Sequence, residues 1–256
     1  MDGKVAVVTG IANKRSIAWG IARAFEREGA ELILTYQNDR LKENLDKLIE
    51  DLQRPAKTVL LDVMNDDLMA EFAESLDKLA PDGVHSLVHS IAYANRADLE
   101  GRFLNTSREG YTLAQSVSSY SLTELTRALY PSMLKAKEAS IVAMTYQGST
   151  RVLPNYNVMG VAKAALESSV RYLAFDLGRD HIRVNAISAG PVKTLAAAGV
   201  KGITAALHNT EDRAPIPENI STEDVGNAAV FLSSDWAKHI TGHILFVDSG
   251  FHILGY

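Results

Sequence analysis

The 256-residue chain contains no cysteine. Disulfides, thiol nucleophiles and cysteine-ligated metals are therefore excluded. Positive charge is not in excess either. Lys and Arg number 26 against 31 Asp and Glu, for a formal net charge of −5, so neither nucleic acid nor an anionic membrane is expected as partner. No run approaches the ~18 apolar residues needed to cross a bilayer. The opening MDGKVAVVTG lacks the basic-then-apolar layout of a signal segment, and a soluble cytoplasmic protein is the expectation. No Pro/Gly-rich linker, internal repeat or low-complexity segment divides the chain, so residues 1–256 are expected to form one domain.

What is present is a rhythm. KVAVVTG, AELILTY, KTVLLDV, HSLVHSIAY, ASIVAMTY, IRVNAISAG and HILFVDSG are short, nearly continuous apolar runs closed by small or polar residues, the pattern of strands buried on both faces. Amphipathic stretches lie between them: SIAWGIARAFEREG, DRLKENLDKLIEDLQ, DDLMAEFAESLDKLA, a long one around SSYSLTELTRALYPSML, YNVMGVAKAALESSVRYLAFDL and TEDVGNAAVFLSS. The expected fold is α/β, a Rossmann-like, doubly wound, parallel seven-stranded sheet with helices on both faces. Ligands of such sheets bind beyond the carboxyl ends of the strands. From about Val192 to Ile220 the rhythm fails, with small, polar, weakly periodic sequence directly after a strand end. A lid over a ligand is expected there, at about 192–220.

The first strand closes in Thr9-Gly10 and continues as GIANKRSIAWGIA. A dinucleotide site needs a tight glycine turn here, so that N–H groups at a helix N-terminus can meet the pyrophosphate. The usual G-x-G-x-x-G is absent; Gly10 and Gly20 stand ten apart, and Ser16 is read as N-cap of a helix from Ile17. At the end of strand two, Tyr36-Gln37-Asn38-Asp39-Arg40 places no acidic residue directly at the strand end and no immediate basic pair, though Arg40 and Lys42 are near, and neutral Gln37 favours NADH, with NADPH not excluded. Asp62-Val63, ending strand three, either fixes an adenine ring or, for Asp62, caps the next helix. His85 and His89 fall on a strand, so no metal site is read there.

Four blocks then stand in order: GIANKRSIAWG, HSIAYA, TYQGS…PNYNVMGVAKAALE and VNAISAGPVKTLAAAG. In these the chain closely resembles the NAD(P)H-dependent enoyl-(acyl-carrier-protein) reductases of bacterial type II fatty-acid synthesis, a divergent branch of the short-chain dehydrogenase/reductase superfamily. The resemblance runs from Gly3 to the closing VDSGFH. It implies a homotetramer, an enoyl thioester on acyl carrier protein as substrate, and sensitivity to triclosan-type inhibitors. It also implies cofactor contacts from Gly10, Ser16, Ile17, Gln37, Asp62, Val63, Ile91, Lys163, Val192 and Thr194, with Ala94 at a substrate-contacting position. The lid departs from the pattern: KGITAAL is small near Ile203, and Lys193, Lys201 and Arg213 are the positive charges left around it.

Ordinary members of the superfamily use Tyr-x-x-x-Lys and a serine. Here Gly160 stands four after Tyr156, and Lys163 follows the tyrosine by seven. Two helical turns, ~10.5 Å, would put both on one face. Lys163 is expected to hold the nicotinamide ribose and to acidify the Tyr156 phenol. Tyr156 is expected to donate to the oxygen that gathers charge during hydride delivery. Tyr146 either orients the acyl chain or relays a proton to the α-carbon. Met159 is expected to wall the acyl pocket, and Gly160 to leave room for cofactor or substrate.

Overall fold

The structure is a computed structural model that describes residues 1–194 and 202–255. All seven expected strands form: β1 (Val5–Val8), β2 (Glu31–Tyr36), β3 (Lys57–Leu60), β4 (Ser86–His89), β5 (Ala139–Thr145), β6 (Ile182–Ala189) and β7 (Ile244–Val247). They pair in parallel throughout, in the order β3-β2-β1-β4-β5-β6-β7. The order reverses between β1 and β4, which opens a crevice beyond their carboxyl ends. Thr9 ties the two strand ends together at that point: its Oγ1 donates to the Val88 carbonyl at 2.9 Å and accepts from Ser90 N–H at 3.3 Å.

Alternation along each strand sorts the core into two layers. Val5 and Val7 of β1 face one layer with α3 (Asp66–Leu79), α6 (Ser121–Lys135) and α7 (Asn157–Leu177), where Phe72, Leu76, Leu125, Leu129, Leu166 and Val170 are buried. Ala6 and Val8 face the other, with α1 (Ile17–Arg27), α2 (Asp39–Ile49) and a late helix, Thr222–Ser233, where Trp19, Ile21, Phe25, Leu45, Val225 and Leu232 are buried. Each such side chain removed from water is worth about 1.5–3 kcal/mol. Gly20, expected in the phosphate turn, instead makes the crossing of α1 on that late helix possible; a Cβ there would stand 2.5 Å from Thr222.

Three features depart from the expected helices. A short α4 (Arg96–Leu99) and α5 (Arg108–Gln115) precede the long helix, and α5 joins α6 through a π-turn, Ser116–Tyr120. One inserted residue leaves no mark in an apolar period, so the sequence could not show it. The expected lid contains a helix, α8 (Ile203–Arg213), followed by α9 (Thr222–Ser233) with a Ser221–Asp224 capping box. The remaining lid residues 195–201, Lys201 among them, lie outside the described residues, as does the side chain of Ile203.

Candidate active site

The first turn is held by contacts the sequence did not suggest. Gly10 has φ 87°, and a Cβ on it would fall 2.0 Å from the Ser90 carbonyl oxygen. Only glycine lets the ends of β1 and β4 come this close. Ser16 precedes α1 as expected, yet its side chain makes no cap to that helix. Its Oγ accepts from the N–H groups of Ala12 and Asn13, both at 3.1 Å, and so closes the loop on itself. Having accepted twice, the hydroxyl keeps its own hydrogen for an anion. Beside it lie the N–H groups of Ile17 and Ala18, ahead of Trp19 and Gly20, which already donate to the Ser16 carbonyl.

Further along the edge, Gln37 Nε2 donates to Asp62 Oδ2 at 3.1 Å, and Asp62 Oδ1 accepts from Met64 N–H at 3.0 Å. The alternative in which Asp62 caps α3 is overturned: Asn65 accepts from Asp67 and Leu68 there. The Asp62 carboxylate is thus set in place next to Val63, which packs on the core edge, as does Ile91 beyond β4. Lys42 is engaged by Asp46 at 2.9 and 2.7 Å.

The Ile91–Asn95 loop, with Ala94 half-buried in it, is stitched to the π-turn. Ser118 Oγ accepts from Tyr93 N–H at 2.9 Å and donates to the Tyr93 carbonyl at 3.1 Å. Ser118 is fully buried, so these bonds replace all water at its hydroxyl. The π-turn therefore sets the loop that edges the crevice.

Tyr146 and Tyr156 meet edge to face, with ring centroids 5.3 Å apart at 74°. Tyr156 stands between two asparagines with positive φ, Asn155 at 61° and Asn157 at 22°. Asparagine tolerates that region better than other residues with a Cβ, and each such residue stores about 1–3 kcal/mol of strain. Asn157 is tied by its Nδ2 to the carbonyls of Glu100 and Gly101, at 3.4 and 3.2 Å. The P-N-Y-N sequence is the signal that reading by spacing passed over. Gly160 leaves room for protein, not ligand: a Cβ there would meet the Gly148 carbonyl at 2.8 Å. A Cβ on Gly148 would in turn meet the Tyr156 ring at 2.5 Å. The two glycines let the 147–149 turn lie flat under the phenol, and Met159 is buried beside it.

Lys163 is buried, 6% exposed, and its Nζ donates to the Met144 carbonyl at 2.8 Å. Burial lowers its pKa to about 8, with Glu167 working against the fall. The expected acidification of Tyr156 is not found. Burial raises the phenol's pKa and Tyr146 raises it further, with no contribution from the lysine. His89 is fully buried with its Nε2 2.8 Å from Ser121 Oγ; burial, aided by Lys163, lowers its pKa to about 3 and keeps it neutral. Val192 is buried beside an exposed Lys193, and Thr194 lines a cavity of about 310 Å³ with Arg15, Leu207, His208 and Glu211. Thus α8 faces the first turn across a space on the ligand edge. The chain beyond α8 is fastened by Ser249, whose carbonyl accepts from Ile216 N–H and whose Oγ donates to the Glu218 carbonyl at 2.7 Å.

Residues 10–252 match the model of the enoyl-(acyl carrier protein) reductase family. The chain is 49% identical over 256 residues to the enoyl-(acyl-carrier-protein) reductase (NADH) of Bacillus cereus, covering all of this chain and 99% of that one. It is 48% identical to the NADPH-named enzyme of Staphylococcus aureus, covering 99% and 98%. A solved structure of the Bacillus cereus reductase with NADP+ and indole naphthyridinone superposes with a TM-score of 0.96 at 48% identity, covering 100% of this chain and 98% of that one.

Proposed function

The chain belongs to the enoyl-(acyl-carrier-protein) reductase family and reduces enoyl thioesters on acyl carrier protein, in fatty-acid synthesis, with NADH or NADPH; from that premise we propose how its own residues divide the work. The donor set fits a reduced dinucleotide. Ser16 keeps a hydrogen for a phosphate, Gly10 brings the strand ends together, Asp62 is fixed for a ring amine, and Lys163 lies at the inner end of the row. In this reading Ile17, Gln37, Val63, Ile91, Val192 and Thr194 complete the cofactor contacts, and Ala94 and Met159 border the acyl chain. The dinucleotide supplies a hydride to the β-carbon of the substrate.

The observation that carries the proposal is the Tyr146–Tyr156 pair. As the β-carbon is reduced, negative charge gathers on the thioester oxygen. Tyr156 holds a proton for that oxygen, and its raised pKa keeps the phenol a donor throughout the neutral range. Tyr146, edge-on to the same ring, fixes the phenol's tilt. Lys163 holds the cofactor ribose. Reduction of crotonyl thioester by the purified protein, with acetoacetyl thioester as rival, tests this; turnover of acetoacetyl alone would return the site to ketone reduction.

NADH is the proposed cofactor, because Gln37 is committed to Asp62 and Lys42 to Asp46, which leaves neither side chain ready for a 2′-phosphate. We read residues 1–256 as one reductase unit, cytoplasmic, with 192–220 as its lid. No helix among the described residues is long and apolar enough to cross a membrane. Tyr172 and Phe175 on α7 are 73% and 85% exposed, which supports assembly into a homotetramer, and light scattering of the purified protein measures it. Triclosan-type phenols are expected to inhibit by stacking in the crevice beside Tyr156.

A further inference from the structure

Two side chains of α7 are anchored on two consecutive residues of β5. Lys163 donates to the Met144 carbonyl at 2.8 Å, and Glu167 Oε1 accepts from Thr145 Oγ1 at 2.7 Å. Four residues apart, they lie one above the other on one helix face. Both are buried, with 6% and 7% of their surface exposed. A buried ammonium and a buried carboxylate are each costly alone. The Thr145 bond holds the carboxylate in place by a neighbour that carries no charge, so its charge remains available to the lysine.

We propose that Glu167 is a positioning residue for the reduction: anchored by Thr145, its carboxylate is the fixed counter-charge that keeps Lys163 an ammonium at the cofactor's edge. The inference rests on the reading of Lys163 as the cofactor-holding group. The surroundings support the assignment. From β4, His89 is held neutral by burial and supplies no charge. From the end of β5 and the head of α7, Tyr146 and Tyr156 both have raised pKa values and stay uncharged. The π-turn and α6 bring the hydroxyls of Ser118, Ser119 and Ser121, which do not titrate. From α5, Arg108 and Glu109 are exposed, and from α4, Arg96 is paired with Glu100 while Asp98 holds Ser107. Glu167, one helical turn from Lys163 on the same face, opposes the downward pull of burial on the ammonium.

The test is the pH profile of kcat/KM for NADH, with crotonyl thioester, in wild type and the variants Lys163→Gln, Glu167→Gln and Glu167→Asp, with Tm alongside. Wild type should lose activity as pH rises through about 8, where the ammonium is lost. Glu167→Gln keeps an acceptor for Thr145 but no charge. Its alkaline limb should move to lower pH by about one unit, so that it matches wild type within about twofold at pH 6 and falls about tenfold below it at pH 9. Glu167→Asp keeps the charge but shortens the reach to Thr145, and its limb should stay with wild type even if Tm falls. The reverse pattern, with Gln unmoved and Asp displaced, would make Glu167 a structural hook and overturn the proposal. Should Glu167→Gln not fold, the paired change Thr145→Val with Glu167→Met, which removes the charge and leaves no hydroxyl unpaired, should show the same displaced limb, and an unmoved limb there overturns the proposal. A limb that survives in Lys163→Gln would remove the reading of Lys163 itself; one that vanishes there yet stays put in Glu167→Gln removes only the role of Glu167.

Discussion

The two faces of the sheet bury similar amounts of leucine, isoleucine, valine and phenylalanine, but they treat polar groups differently. On the face covered by α1, α2 and α9 the buried polar side chains are neutral and mutually satisfied. Ser86 lies 3.0 Å from Ser233 and 3.3 Å from Ser140, and Asn185 bonds the Ile240 carbonyl and the His243 N–H. On the face covered by α3, α6 and α7 the buried groups include an ammonium, a carboxylate and an imidazole, in Lys163, Glu167 and His89. That face also holds buried atoms without a protein partner, among the described residues: His89 Nδ1, Thr126 Oγ1 and Ser132 Oγ. A layer built only for stability closes every polar account. The second layer tolerates imbalance where it backs the crevice, and there the chemistry is expected.

The contrast can be broken most forcefully in the apolar layer. Phe25→Ala, in the α1 layer, should lose about 3–5 kcal/mol of stability in chemical denaturation, while the folded fraction keeps its kcat. A fall in kcat at constant folded fraction would show that this layer is not merely structural. Tyr156→Phe should do the opposite, cutting turnover by about 10²–10³ with an unchanged Tm. Gly148→Ala sharpens the division. Its methyl, 2.5 Å from the Tyr156 ring, must push the phenol aside, and a displacement on the order of 1 Å can cost about 10² in kcat. Steady-state rates at matched folded fraction check both. The smallest effect is expected from Ser221→Ala, which removes the capping box of α9; about 1 kcal/mol of stability should go in urea melts, with no change in rate.

The strands were legible because a parallel sheet demands continuous apolar runs, and seven such runs with helical patterns between them admit few arrangements. The two tyrosines and the lysine were legible as a constellation, but not their electrostatics. Burial depends on what packs from elsewhere, and it sends the Tyr156 phenol in the direction opposite to that inferred from spacing. Glu167, at four residues from Lys163, was within reach of the helical period; its anchor on Thr145 was not, since 22 residues separate the two. The π-turn and α8 were missed for different reasons. The first is a single inserted residue, and the second lies in small residues whose helical period is weak because one face meets a cavity instead of a core.

The strand order also sets a timetable. Of the seven strands β1 is made first, yet it stands inside the sheet, between β2 and β4. On the ribosome it can pair with β2 at once, while its other side waits for residues 86–89 to be synthesised. At translation rates of about 5–20 residues per second, that flank stays open for some seconds after β2 has appeared. An unpaired, wholly apolar strand edge is the template on which chains join wrongly. The newborn protein is therefore exposed on this flank until its fourth strand arrives, well ahead of any part of the lid or the tyrosine pair.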